Sequence, residues 1–199
     1  MSLKTYLQKH FVDKPTFVSL LGITVERLDQ LIAAKAVPQP TYVCDGNTIH
    51  SAVFGVIETE ESIYGDYFRP ECSRWVKIAD QAAPGQERDA VFSVLSHELE
   101  LGLQDYFKEP EIIEKKIQDF LPYFLNGTFG LCIADPSSGT SIARKEVLQD
   151  TMDSKISKSY VEDKTIPGFA WVLETIFQKE DKLTMSWEDF PNRNLMSFP

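Results

Sequence analysis

The chain lacks any long hydrophobic run. Its longest apolar stretches, such as 52–57 and 120–125, fall far short of the ~20 residues a helix needs to span a bilayer, so no membrane span is expected. The N-terminus, MSLKTYLQKHF, scatters polar residues where a secretory signal is apolar, and no small-residue cleavage site follows, so the expected compartment is the cytoplasm. Cysteine is scarce. Cys44, Cys72 and Cys132 are odd in number and widely spaced, which argues against a disulfide framework and for free, largely buried thiols. Histidine is equally sparse, with His10, His50 and His97 and no CxxC or HxxxH pair; Cys44 and His50 match no metal-ligand spacing closely, so no metal is expected. Neither GxGxxG nor GxxxxGK[ST] occurs, which removes the common nucleotide-binding loops.

What the chain does have is core-forming residues and an acidic surplus. At 199 residues, 43% hydrophobic and 12% aromatic, it can bury a substantial core as one domain or two small ones. Thirty Asp and Glu outnumber twenty Lys and Arg, a net charge of −10. The surplus is uneven. Residues 1–45 carry Lys4, Lys9, Lys14, Arg27 and Lys35 against Asp13, Glu26, Asp29 and Asp45, a net +1, so the remaining 154 residues hold −11.

Residues 15–42, PTFVSLLGITVERLDQLIAAKAVPQPTY, space apolar and turn residues as two helices joined by a tight turn. Gly22 breaks the first apolar run and Thr24 is placed to cap the second helix. Val25, Leu28, Leu31 and Ile32 then form one buried stripe, and Pro38 and Pro40 forbid its continuation. The segments 41–44 and 48–51 flank Asp45-Gly46-Asn47, whose Gly and Asn accept positive φ, so a hairpin turning at those three residues is expected as the wing of a winged helix. On the second helix the outward positions are Glu26, Arg27, Asp29, Gln30, Ala33 and Ala34. A DNA-binding surface gains affinity by neutralising ~6–10 phosphates with Lys and Arg, whereas this helix offers two carboxylates and the wing no Lys or Arg. Glu26, Arg27, Asp29 and Gln30 are the candidate partner-facing or DNA-facing residues, with a protein-facing or structural use favoured.

Further along, 52–57 either extend the second strand or begin a helix. Residues 64–78 hold Tyr64, Tyr67, Phe68, Trp75, Val76 and Ile78 around Pro70, which sits at a helix start or in a turn, so two short helices or a helix and a loop are expected there. The polar stretch QAAPGQERD, 81–89, is the candidate internal linker. Helical spacing follows in Phe92, Leu95, Leu99, Leu103 and Tyr106, and again in Ile113, Ile117, Phe120, Leu121 and Phe124. Pro122 is expected to kink or end that second helix near Leu121, and Asn126-Gly127 to terminate it. TFGLCIA, 128–134, fits a buried strand or extended segment. A helix from about Ser141 to Ile156 follows, and a last one after Pro167, where Phe169, Val172, Leu173, Ile176 and Phe177 give a strong amphipathic match. The expected fold is mainly α with a minor β-hairpin: a winged helix-turn-helix-like module, 1–57, packed on an acidic helical body, 58–199, or one continuous domain.

Three local patterns suggest chemistry. His97-Glu98-Leu99-Glu100-Leu101 begins like a zinc-protease helix, but Leu101 stands where the second histidine belongs. Asp135-Pro136-Ser137-Ser138-Gly139-Thr140 precedes a helix and reads as a turn and cap, with Arg144 and Lys145 just beyond as candidate anion-binding residues. Acidic clusters such as 58–61 read as solvated faces, and Ser96-His97 forms no triad and no GxSxG elbow. No catalytic residue and no cofactor is expected.

The pattern Gly22-Ile23-Thr24, Leu28, Leu31-Ile32, Val37-Pro38, Pro40 resembles the excisionase-like and mercury-regulator-like winged helix-turn-helix group over about 30 residues. Gly127-Thr128-Phe129-Gly130-Leu131-Cys132 followed by Ile142-Ala143-Arg144-Lys145-Glu146 is similar to an uncharacterised bacterial family loosely labelled natural-product-biosynthesis accessory proteins. That resemblance implies a bacterial cytoplasmic protein and supplies no catalytic residues. The leading expectation is a non-catalytic regulatory or accessory interaction protein, its partner a protein with a basic patch, its contacts on the second helix and around Trp187, Phe190 and Phe198. The alternatives are a transcription regulator binding DNA as a homodimer, and an enzyme with a site between the N-terminal module and the helical body.

Overall fold

A computed structural model describes residues 2–153. The expected helix after Pro167 and the aromatic tail at Trp187, Phe190 and Phe198 lie outside the described residues. Helix α1 (Leu3–His10) leads through a short strand β1 (Val12–Asp13) into α2 (Lys14–Leu21) and α3 (Val25–Ala33). Strands β2 (Tyr42–Ser51) and β3 (Gly55–Phe68) follow, then a 3-10 turn at Pro70–Cys72 and the helices α4 (Ser73–Gln81), α5 (Glu87–Leu103), α6 (Pro110–Leu125), α7 (Thr128–Cys132) and α8 (Gly139–Asp153). The arrangement is mainly α with a small three-stranded antiparallel sheet, ordered β1-β3-β2.

Local rules explain the α2–α3 pair. Asp13 accepts the Thr16 N–H at 2.8 Å and Pro15 occupies the first turn of α2. Gly22 ends α2 at φ +71, a left-handed conformation that a side chain disfavours. Thr24 accepts the Arg27 N–H at 3.1 Å, and Leu28 and Leu31 on that helix are buried.

The hairpin departs from expectation at its turn. Asp45-Gly46-Asn47 does not reverse the chain: β2 runs straight through it, and the reversal comes at 52–54. Gly46 uses its positive φ of +66 for a bulge, where the register jumps from Gly46 opposite Ile63 to Thr48 opposite Glu58. The bulge changes the alternation of faces. Tyr42, Cys44 and Gly46 point inward, and beyond the bulge the inward position passes to Ile49, which an unbroken period of two would have turned to solvent.

Two apolar clusters result. Leu7 and Phe11 of the α1 region pack with Tyr42, Cys44, Ile49 and Ile63 on the inner face of the hairpin. The larger cluster joins Phe17, Leu28, Leu31 and Val37 to Trp75, Leu95, Leu99, Phe124 and Phe129. Phe17 stacks on Phe68 at 4.7 Å, and Phe124 meets Trp75 edge-on at 5.3 Å. One compact unit runs from Met1 to Val147, and the expected 57/58 boundary falls inside β3. The polar stretch 81–89 is a short connection between α4 and α5 rather than a linker between domains.

Three further expectations are corrected. Residues 64–68 are strand. Helix α6 continues past Pro122 to Leu125; the proline removes one ladder bond on an exposed stretch, and the Asn126 N–H bonds back to the Pro122 carbonyl at 3.0 Å. TFGLC is helix α7 rather than strand, since among the described residues no strand pairs with it to take its backbone groups and a helical turn satisfies them internally.

Candidate functional site

The four residues expected to face a partner do not share one fate. Glu26, Asp29 and Gln30 are exposed on α3, but Arg27 turns across the helix pair. Its guanidinium meets Asp80 at the end of α4 at 3.0 Å and Glu87 at the start of α5 at 3.2 Å. The hydrogen bond to Asp80 is the main cause of an Arg27 pKa above its ordinary value. Lys14 is similarly engaged, 3.1 Å from Asp29 and 2.5 Å from Asp66, which ties α2 to α3 and to β3. Burial opposes the Lys14 charge, and the hydrogen bonds and field of Asp66 and Asp29 outweigh it, so its pKa also rises. The outward surface of α3 thus shows carboxylates and an amide, while Lys14 and Arg27 are engaged in ion pairs within the fold and Lys35, just beyond the helix end, is exposed.

The hairpin, which packs against α1 and α2, carries a second acidic surface. Residues 41–68 contain Asp45, Glu58, Glu60, Glu61 and Asp66 and no Lys or Arg. Two of these have structural employment: Asp66 pairs with Lys14, and Glu61 accepts the Leu3 and Lys4 N–H groups at 2.7 and 3.1 Å, capping α1. Sequence reasoning missed the Glu61 cap because its partners lie 57 and 58 positions away. Asp45, Glu58 and Glu60 are exposed, and among the described residues no ion pair involves them. Large apolar side chains stand among them, with Val56 65% and Tyr64 69% exposed and Phe54 and Ile57 nearby.

The candidate anion site at the start of α8 is already filled from within. Glu98, the glutamate of the His97-Glu98 pattern, accepts the Gly139 N–H at 2.9 Å and holds Arg74 in a two-pronged pair at 2.5 and 2.9 Å. The Arg74 hydrogen bonds are the first cause of a Glu98 pKa below the usual carboxylate range. Arg74 also donates to the Ser137 carbonyl at 2.5 Å, and Trp75 Nε1 to the Pro136 carbonyl at 2.7 Å. A Cβ on Gly139 would lie 2.7 Å from Glu98 Cβ and 3.0 Å from the Leu95 carbonyl, so only glycine permits this approach. Arg144 and Lys145 are not gathered into a cationic pair. Arg144 is exposed, 3.8 Å from Asp105, and Lys145 is half-buried, 2.8 Å from the buried Glu146. His97 is exposed.

The remaining candidates resolve into packing. Cys44 is buried on the inner face of β2 while His50 is exposed, so the two do not face a common ligand. Burial pushes the Cys44 thiol up to about 11 and the Cys72 thiol to about 12, and raises Cys132 too. The space between the α2–α3 pair and α4–α6 is closed by the larger apolar cluster. An open surface groove of about 750 Å3 lies between α5 and α6, floored by Phe107, Ile113, Ile117 and Leu121. Among the described residues no helix is long and apolar enough to cross a membrane.

Comparison with known proteins gives one result. A family described as "Family of unknown function (DUF6058)" matches residues 92–166, a span that begins in α5 and takes in Glu98, α6, α7 and Gly139. No curated protein and no solved structure matches the chain.

Proposed function

We propose that the chain is a non-catalytic accessory or regulatory interaction protein, in which α2, α3 and the β2–β3 hairpin form a winged helix-turn-helix-like unit that docks a basic partner protein. The observation that carries this reading is the employment of Arg27. A helix that reads DNA needs its cations facing outward to neutralise phosphate, and this one directs its single arginine to Asp80 and Glu87 while Glu26, Asp29 and Gln30 take the surface. The hairpin, in the place of a wing, adds carboxylates and no cation. Such a surface repels a nucleic-acid backbone and steers a basic protein toward it.

A mobility-shift titration with random-sequence duplex DNA from low to physiological salt tests the reading. No shift is expected even at the lowest salt. A shift that weakens steeply as salt rises would overturn the proposal in favour of a DNA-binding regulator.

A further inference from the structure

Among the described residues the sheet has an open edge. In the order β1-β3-β2, strand β3 is central and β2 is terminal, and among the described residues no backbone hydrogen bond joins residues 42–51 to anything other than β3. Ten residues of exposed edge is long for a strand that must avoid unwanted pairing, and natural proteins usually guard such edges with lysine, proline or a short strand. β2 contains neither residue. Its one irregularity, the bulge at Gly46, divides the edge without closing it.

The outward face above this edge has a regular composition. Its cross-strand pairs are Val43 with Asp66, Asp45 with Tyr64, Thr48 with Glu58 and His50 with Val56. Carboxylates therefore alternate with apolar or neutral groups along the face, and Glu60 stands exposed in the irregular stretch between them. A strand added to β2 would place its own side chains one strand spacing, ~4.8 Å, from Asp45 and within a lysine or arginine stem of Glu58 and Glu60. Opposite charges across such a ladder stabilise it, and like charges oppose it. That rule discriminates between occupants. A second copy pairing edge to edge would bring two lysine-free and arginine-free hairpins, each with five carboxylates, into one sheet. A segment that alternates cationic and apolar residues presents all its cations on the outer face, within reach of Asp45, Glu58 and Glu60, and its apolar residues on the other face, in line with Tyr42, Cys44 and Ile49.

We infer that the free edge of β2 accepts an extended, Lys/Arg-bearing segment of a partner protein as a fourth strand, with the charge of the hairpin excluding self-pairing. This rests on the docking reading above and names the partner's chemistry and mode of binding. The inner face of the hairpin is occupied by Leu7 and Phe11, which leaves the edge and outer face as the accessible surface.

Amide hydrogen exchange on the full chain tests the inference, using as probe a short synthetic peptide that alternates valine with lysine and arginine, and as control the same peptide with glutamate at the cationic positions. At millimolar peptide the basic probe is expected to slow exchange of amides within 42–51 at least tenfold, with the control inert and the α5 amides unchanged. Glu58→Lys combined with Glu60→Lys should abolish the protection while α5 exchange reports an intact fold. Protection absent from 42–51, equal protection by both peptides, or concentration-dependent protection with no peptide would each overturn the inference. The DNA titration has a separate readout, so failure of strand addition and failure of the docking reading are distinguishable.

Discussion

Removing the Glu98 carboxylate should loosen the junction of α4, α5 and α8 by a predictable amount. Its side chain is 22% exposed and that of Arg74 39%, so solvent screening limits the ion pair to about 0.5–1 kcal/mol. The hydrogen bond from Gly139 N–H, together with a negative charge at the start of α8, contributes about 1 kcal/mol more. Glu98→Ala should therefore cost about 2 kcal/mol, and Glu98→Gln, which keeps shape and one acceptor, about 1 kcal/mol. For a chain of this size the alanine variant should melt about 4–8 °C lower. The pH dependence has a definite sign. Because Glu98 has its pKa lowered in the folded state, its contribution is complete above the unfolded value of about 4.3 and is lost as pH falls through the folded value. Urea unfolding of wild type and Glu98→Gln, followed by circular dichroism from pH 7 into the acid range, should show the gap closing below about pH 4. A double-mutant cycle with Arg74→Ala should return a coupling near 1 kcal/mol. A gap that persists unchanged into acid, or coupling below about 0.3 kcal/mol, would refute this account of the junction.

Gly127 sits at φ +82 with the Gln39 and Pro40 carbonyl oxygens 2.8 and 2.9 Å from where a Cβ would stand, so Gly127→Ala should cost more than about 2 kcal/mol in urea unfolding. Leu28→Ala, which empties a fully buried site between α3 and the helical core, should cost about 2–5 kcal/mol by the same assay. Arg27→Met should lose only about 1 kcal/mol in urea unfolding, because its partners are partly exposed, and should leave duplex DNA unshifted as with the unaltered protein. Cys44 and Cys72, buried with raised pKa values, should react with a disulfide reagent at pH 8 only as fast as the protein unfolds; rapid labelling of either in the native state would contradict their placement.

The parts of this fold legible in the sequence are those fixed by local physics. The α2–α3 pair was readable because Gly22 and Thr24 act on residues within four positions of themselves and because Leu28 and Leu31 repeat at the helical period. The α5 stripe was readable for the same reason in Leu95, Leu99 and Leu103, which are buried along one face; Val91 completes that face in place of the expected Phe92, which is half-buried, and Tyr106 lies beyond the helix end. Helix α1 was missed although Ser2 is a local cap that accepts the Thr5 N–H at 3.2 Å; its inward residues are few, and the further cap from Glu61 comes from a distant strand. Gly46 shows how one local signal serves two purposes: a glycine that tolerates positive φ marks a turn or a bulge equally well, and only the pairing of β2 with β3 decides between them. The segment Gly127-Thr128-Phe129-Gly130 has a comparable explanation. Both glycines lie where a side chain would strike the 39–41 backbone or Thr41, so their spacing records a close approach between α7 and the entry to β2 rather than a ligand.

The candidate site was legible in charge and illegible in geometry. That 58–61 is acidic is plain from the sequence, but which carboxylate is structural depends on Lys14 and on the start of α1, both remote from the cluster. Lys14, Arg27 and Arg74 each sit at a seam between elements and each meets a carboxylate across it: α2 to α3 and β3, α3 to α4 and α5, α4 to α5. Cations placed at seams contribute to register and rigidity, and those three are engaged there rather than offered to a partner. On α3 and the hairpin, Glu26, Asp45, Glu58 and Glu60 are exposed, and among the described residues no ion pair involves them. The acidic surface of the hairpin is thus in part the complement of the way the chain holds itself together. Under the docking reading proposed above, the cations would come from the partner, because Lys14, Arg27 and Arg74 are kept for the fold's own joints.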